Sequence, residues 1–305
     1  MSRPISRRHL IGRAAAAAAG CVLPRLPEAA GPDPDRERLS AWSAALRGEG
    51  LCRADRPLGR AAVRVGELAA GSPYQAHTLE AYLRAGGSPA GEPLILSLTR
   101  FDCVTLVEAC LAVARVAASP GAPTWERFGR EVERMRYRGG ARRGYASRLH
   151  YFSEWMADGE RRGLLRDLGA ELGGTEDARP LRFMTEHRSS YPALTDDEVR
   201  EEIAALERAL DGRPRRVVPT KRIPQVSDRI ETGDVLAFAT EIPGLDVTHS
   251  ALAYRDAGGV LRVLHAPLSG GVVEVTRATL PEYVAAIRRA TGILVARPAR
   301  GPRSS

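Results

Sequence analysis

Residues 98–116 read LTRFDCVTLVEACLAVARV. An acid and a thiol, Asp102-Cys103, stand where an apolar run begins, and Val104, Val107, Leu111 and Ala114 recur at helical spacing. The pattern predicts a helix over 103–118, with Asp102 as its cap and Cys103 in its first turn. There the unpaired N–H groups and the helix macrodipole favour a thiolate over a thiol whose ordinary pKa is about 8.5. The stretch fits a nucleophile. It also fits a buried structural cysteine, which is the commoner case. Cys110, between Ala109 and Leu111, has the structural character.

A nucleophilic thiol needs a base, and the base needs an orienting partner. Of the six histidines, His9 lies near the N-terminus, His77 in a loop beside Tyr74, and His150 and His187 in the middle of the chain. His249 and His265 fall on two predicted strands, THSALAYRD and LRVLHAPL, joined by the turn DAGG at 256–259. A histidine on a sheet is usually a satisfied core or surface residue. Two on neighbouring strands, in a chain with a helix-start cysteine, follow the cysteine–histidine–polar order of papain-type enzymes. Cys103, His249 and His265 are also the right types to hold zinc, although no H-E-x-x-H helix accompanies them. No metal and no cofactor is expected.

The rest of the chain predicts an α+β fold, helices first and an antiparallel sheet afterwards. Residues 39–46 and 60–69 have helical patterns, EPLILSLTR at 92–100 reads as extended, and 125–174 reads as a long loop with short helices. Thr195 and Glu198 form a capping-box pair before a helix ending near Leu210, which DGRPRRVVPTKRIPQ then breaks. GDVLAFAT, GGVVEV and GILVARP complete the strands, with a helix over 280–290.

The chain has 305 residues, 44% hydrophobic and 27% charged, which suits an ordinary soluble core. Residues 1–30 read as an export signal and linker: Arg7-Arg8, a short apolar run, then alanines from Ala14 to Ala19. The segment is similar to the twin-arginine type, and 31–305 forms a single domain. Cys21 follows Ala18-Ala19-Gly20, a small-residue box that lacks the usual leucine of a lipidation site; a lipid there would tether the protein to a membrane without spanning it. Arg3, Arg7, Arg8 and Arg13 belong to this leader, so half of the net charge of +8 leaves with it. The remainder suits an anionic cell-wall polymer or simple solubility. No basic stripe calls for nucleic acid, and only 5% of residues are aromatic. Cys52, Cys103 and Cys110 then remain, an odd number, and the role of Cys52 is open.

RFDCVTLVE followed by DVTHSALAYRDAGGVLRVLHAPLSGGVVEV resembles the NlpC-type branch of papain-like cysteine peptidases, which cut bacterial peptidoglycan. Within it the chain is most similar to the N-acetylmuramoyl-L-alanine amidase-like family, over about Gly59 to Arg297. The shared features are a Pro-Tyr turn (GSPYQAHTLE), a D-C-x-T-x-x-E start and the block RYRGG…GYASRLHYFSEW. Val104-Thr105 replaces the serine that follows Asp-Cys in the commoner endopeptidases. The resemblance implies a nucleophile helix packed on an antiparallel sheet, with family-specific helical and loop insertions. It implies Cys103 as nucleophile, His249 as base, His265 as its orienting partner and Tyr74 as an oxyanion or substrate contact. It leaves Asp102 as a cap or a substrate contact. Arg148, His150, Tyr151 and Trp155 are either packing residues or a substrate wall, with Arg148 against a carboxylate and Tyr151 and Trp155 against a sugar.

The expected function is therefore cysteine-dependent hydrolysis of peptidoglycan fragments at the N-acetylmuramoyl–L-alanine amide, outside the cytoplasm. The alternatives are an endopeptidase for γ-D-glutamyl–diamino acid bonds and a wall-binding protein without turnover.

Overall fold

The computed structural model of the protein describes residues 33–267 and 271–300, within the unit Pro34–Ser305. The export segment and Cys21 lie outside the described residues. The helices are α1 (Pro34–Gly48), α2 (Leu58–Leu68), α3 (Ala81–Arg84), α4 (Cys103–Ala118), α5 (Trp125–Arg136), α6 (Phe152–Arg161), α7 (Phe183–Glu186), α8 (Asp197–Ala209), α9 (Ile223–Val226) and α10 (Leu280–Ala286). The strands are β1 (Leu165–Asp167), β2 (Thr175–Asp177), β3 (Arg215–Pro219), β4 (Val235–Thr240), β5 (Val247–Arg255), β6 (Leu261–His265), β7 (Glu274–Val275) and β8 (Ala290–Pro298).

α4 is the axis of the fold. Every residue from Leu106 to Ala117 is buried, as befits a helix apolar on nearly all sides. It packs against α1, α2, α5 and β5. The sheet runs β2-β3-β8-β4-β5-β6-β7, with β1 also on β8, and every pairing is antiparallel. Side chains alternate across it. Val235, Ala237, Leu252 and Leu264 join the core under the helices, while Leu236, Phe238, Ala251 and Val263 join a second core under α10. Gly66 of α2 lies against Leu264, where a Cβ would come within 2.6 Å of that side chain. A glycine here therefore sets the distance between α2 and the strand that ends in His265.

Several local expectations change. Residues 92–100 form no strand; they cross beside α5, where Arg136 donates to the Ile95 carbonyl at 2.6 Å. The supposed long loop of 125–174 contains two full helices, α5 and α6. The cap of α8 is Asp196, which accepts from the N–H groups of Glu198 and Val199, not Thr195. The supposed breaker at 211–225 contains β3, whose Val217 and Val218 are buried. Cys52, Cys103 and Cys110 are all free thiols. Among the described residues no helix is long and apolar enough to cross a membrane.

Glu108, from the D-C-x-T-x-x-E start, meets Arg136 of α5 at 2.7 Å with both side chains buried. Arg136→Ala should destabilise the protein by about 3–5 kcal/mol, because it strands a buried carboxylate. Replacing both by apolar residues, Glu108→Leu with Arg136→Met, should recover much of that loss. Urea unfolding of the two variants checks this; equal losses would contradict it.

Candidate active site

The first turn of α4 is closed by a capping box. Asp102 Oδ1 accepts from the Thr105 N–H at 2.8 Å, and Thr105 Oγ1 accepts from the Asp102 N–H at 2.8 Å. Cys103 follows, half-buried, at the first helical position. Its nearest polar support comes from β5: the Ser250 N–H and hydroxyl, with the Val104 N–H, are the groups that pull its pKa down. The buried Ser250 hydroxyl has no other hydrogen-bond partner.

Next to Ser250 on β5, the buried His249 stacks on Phe238, its cross-strand neighbour. Its Nε2 lies 2.8 Å from His265 Nδ1 on β6, and its Nδ1 has no hydrogen-bond partner. The structure thus joins the two histidines directly and ties Cys103 to their sheet through Ser250. Tyr74 arrives from the other side. Its N–H donates to the Gly271 carbonyl at 2.9 Å, and the Gln75 N–H donates to the Phe101 carbonyl at 2.8 Å. Burial pushes the Tyr74 phenol up to about 12, and the charges of Cys103 and Asp102 add to the shift.

The electrostatics correct one expectation. Cys103 is pushed up to about 11, first by burial and then by the Asp102 charge. The helix start does not deliver a resting thiolate, because its Thr105 N–H already serves a carboxylate that repels a second negative charge. His249 is pushed down to about 3 by burial and then by His265, and His265 down to about 4 by burial. These shifts leave the thiol and both rings uncharged at neutral pH.

The residues of the Arg-Leu-His-Tyr block turn inward and are taken up in contacts with the protein's own groups. Arg148 is buried, 3.3 Å from both Glu80 and Glu92 and over the Tyr145 ring. His150 bonds the Tyr145 carbonyl at 2.9 Å and packs on that ring. Tyr151 is buried and donates to Glu207 at 2.6 Å. Trp155 is buried against Phe152. The block shapes the site indirectly. The Ser153 N–H at the start of α6 donates to Asp246 at 2.7 Å, and Asp246 opens the strand that carries His249.

Ser250, Asp246 and Tyr283 were not foreseen. Ser250 and Asp246 left a signal, as polar residues around His249 in a largely apolar strand. Tyr283 left none: it comes from α10, and its hydroxyl lies 3.3 Å from His265 Nδ1. Among the described residues no group of three or more His, Cys, Asp or Glu side chains is arranged to hold a metal ion; two of the nitrogens considered for zinc face each other instead.

Helices on an antiparallel sheet define an α+β protein, in which Cys103 bonds Ser250 of β5 and the preceding His249 bonds His265. The chain belongs to the N-acetylmuramoyl-L-alanine amidase-like family, whose profile matches residues 64–293. It is similar to an N-acetylmuramoyl-L-alanine amidase structure from Bacteroides uniformis, at 30% identity and TM-score 0.71, covering 79% of this chain and 98% of that one. A candidate xylanase from Bacteroides fragilis aligns at 34% identity and TM-score 0.69, over 76% of this chain and 99% of that one. A Legionella pneumophila protein of 16% identity shares the fold at TM-score 0.62, over 87% and 94% of the two chains. No curated protein matches the chain.

Two outcomes follow from the uncharged site. Alkylation of Cys103 by iodoacetamide should rise about tenfold per pH unit from pH 6 to 9, as the thiolate fraction of a thiol near 11 requires; a plateau above pH 6 would mean a resting ion pair. His249 and His265 bind protons more weakly folded than unfolded, where a histidine titrates near ~6.5. Their full contribution is therefore present above about 6.5 and is lost as pH falls toward their folded values. His150 is depressed in the same way. Replacing His249 and His265 by Asn should reduce the loss of melting temperature between pH 6.5 and 5, and an unchanged slope would contradict these shifts.

Proposed function

We propose that the protein is a peptidoglycan amide hydrolase of the papain-like NlpC type, cleaving the N-acetylmuramoyl–L-alanine bond of muropeptides. The observation that supports this most is the His249 Nε2 to His265 Nδ1 bond, which leaves His249 Nδ1 without a hydrogen-bond partner, on the same strand whose Ser250 bonds Cys103. Glycoside hydrolysis calls for two opposed carboxyl groups; of the carboxyl groups here, Asp102 is engaged by the Thr105 cap and Glu274 faces His265.

Substrate approach brings the thiol proton to His249 Nδ1 as sulfur adds to the lactyl carbonyl carbon. A resting thiol with a depressed base suits transfer concerted with attack, since neither charge stands alone in the buried site. In this reading the Cys103 N–H and the Tyr74 hydroxyl receive the oxyanion. His249 then returns the proton to the alanine nitrogen, the C–N bond breaks, and a muramoyl thioester remains on Cys103. Water, losing a proton to His249, adds to the thioester, and the thiol leaves as the acid is released. The leader is assigned to export, and a lipid on Cys21 would be the protein's membrane tether.

Cys103→Ala should abolish turnover of a defined muropeptide while the protein stays folded. His249→Ala should cost a comparable amount, since general acid–base help alone is worth about 10²–10⁴ in rate. His265→Asn, which can still accept from His249, should keep a measurable fraction, and His265→Ala much less. Mass spectrometry of the products reads both the rate and the bond. A fully active Cys103→Ala would end the thiol mechanism, and products cut after γ-D-glutamate would make the protein an endopeptidase. Changing Arg7-Arg8 to Lys-Lys should block export; normal yield outside the cytoplasm would show another route.

A further inference from the structure

The bond between His249 Nε2 and His265 Nδ1 holds one proton, and its owner decides whether the pair can act. If the proton belongs to His249 Nε2, the Nδ1 of that neutral ring is a lone pair. If it belongs to His265 Nδ1, a neutral His249 carries its hydrogen on Nδ1 and offers no base there. Nothing in the pair itself breaks this symmetry. The neighbours of His265 do.

His265 is 2% exposed, and its Nε2 has no hydrogen-bond partner. Glu274 faces His265 across the β6–β7 register and places Oε1 3.8 Å from that Nε2. An ionised carboxylate only accepts, so its charge favours a hydrogen on Nε2 even at a separation longer than a hydrogen bond. On the other side of the ring, the Tyr283 hydroxyl is 3.3 Å from Nδ1. Burial and the charges of Cys103 and Glu274 push this phenol up to about 12, so it stays protonated and can donate. A donor at Nδ1 and an acceptor near Nε2 select the same tautomer. The titratable groups facing His265 are His249 from β5, Glu274 from β7 and Tyr283 from α10, with Cys103 of α4 acting on Tyr283.

We propose that Glu274 and Tyr283 are positioning residues that hold His265 as its Nε2–H tautomer, which assigns the shared proton to His249 Nε2 and leaves His249 Nδ1 as the acceptor for the thiol proton. The inference rests on reading Cys103 and His249 as nucleophile and base. It adds no atom to the reaction; it fixes where two protons sit before the reaction starts. Glu274 is half exposed, so substitution there leaves packing largely intact, and Tyr283→Phe keeps the ring while removing the donor.

The test is long-range proton–nitrogen NMR on the full chain labelled with ¹⁵N-histidine, which reads each ring's tautomer without substrate. The wild type should show Nε2–H on both His249 and His265. The double variant Glu274→Ala with Tyr283→Phe should populate Nδ1–H on His265. Its kcat/KM on a muropeptide should fall in proportion, about tenfold if one molecule in ten keeps the competent tautomer. Glu274→Gln, whose carbonyl still accepts, should retain more activity than Glu274→Ala. Nδ1–H on His265 in the wild type would overturn the proposal, and so would unchanged tautomers in the double variant. The expected tautomers in a wild type that cleaves no muropeptide would support the proton assignment and overturn the functional reading instead.

Discussion

The reciprocal bonds between Asp102 and Thr105 fix where α4 begins, and the rest of the site is measured from that point. A cap of this kind is worth only about 1 kcal/mol. Its larger effect is directional. It places Cys103 at the first helical position, at the end of a buried helix that cannot slide because α1, α2, α5 and β5 enclose it. Phe101, one residue before the cap, bonds through its backbone to Pro73 and Gln75 on either side of Tyr74. The thiol and the phenol are thus registered by the same stretch of main chain. On the far side, Asp246 fastens the start of β5 to the start of α6, which holds the strand of His249 and Ser250 against that fixed end.

Burial then sets the chemistry. The same low-dielectric surroundings that raise Cys103 lower His249 and His265, so the thiol and the two rings rest without charge. A resting ion pair would pay the desolvation cost of two buried ions. Neutral groups avoid it, and a neutral histidine is a base at only one of its nitrogens. The donors near the sulfur, Ser250 and the Val104 N–H, only partly offset this burial.

Much of this was legible where the signal is local. Asp102-Cys103 before an apolar run announces a capped helix because caps and periodicity act within one or two turns. THSALAYRD and LRVLHAPL show two histidines on hairpin neighbours because alternation and the DAGG turn are equally local. The less legible residues differ in kind. Tyr151, Trp155 and Arg148 read from composition equally as packing or as a binding wall, since aromatic and basic groups serve a buried polar cluster as well as an exposed one; Tyr151 and Arg148 find their partners Glu207, Glu80 and Glu92 far off in sequence, while Trp155 stacks on the nearby Phe152. β3 was hidden by Arg215 and Arg216, although Arg215 turns inward to Asp177. The thiol's pKa was misjudged because helix position is visible in sequence and depth of burial is not. Tyr283 was invisible because it reaches His265 from a separate helix.

The central claim is that Cys103 carries the acyl half of the amide as a thioester. Acid quenching during turnover of an N-acetylmuramoyl–L-alanine muropeptide, followed by mass spectrometry of the peptide containing Cys103, tests it most directly. The account predicts a Cys103 adduct with the mass of the muramoyl acid, lost on treatment with hydroxylamine. An unmodified Cys103 under conditions where product accumulates in a burst, or an adduct with the mass of a γ-glutamyl peptide, would contradict it.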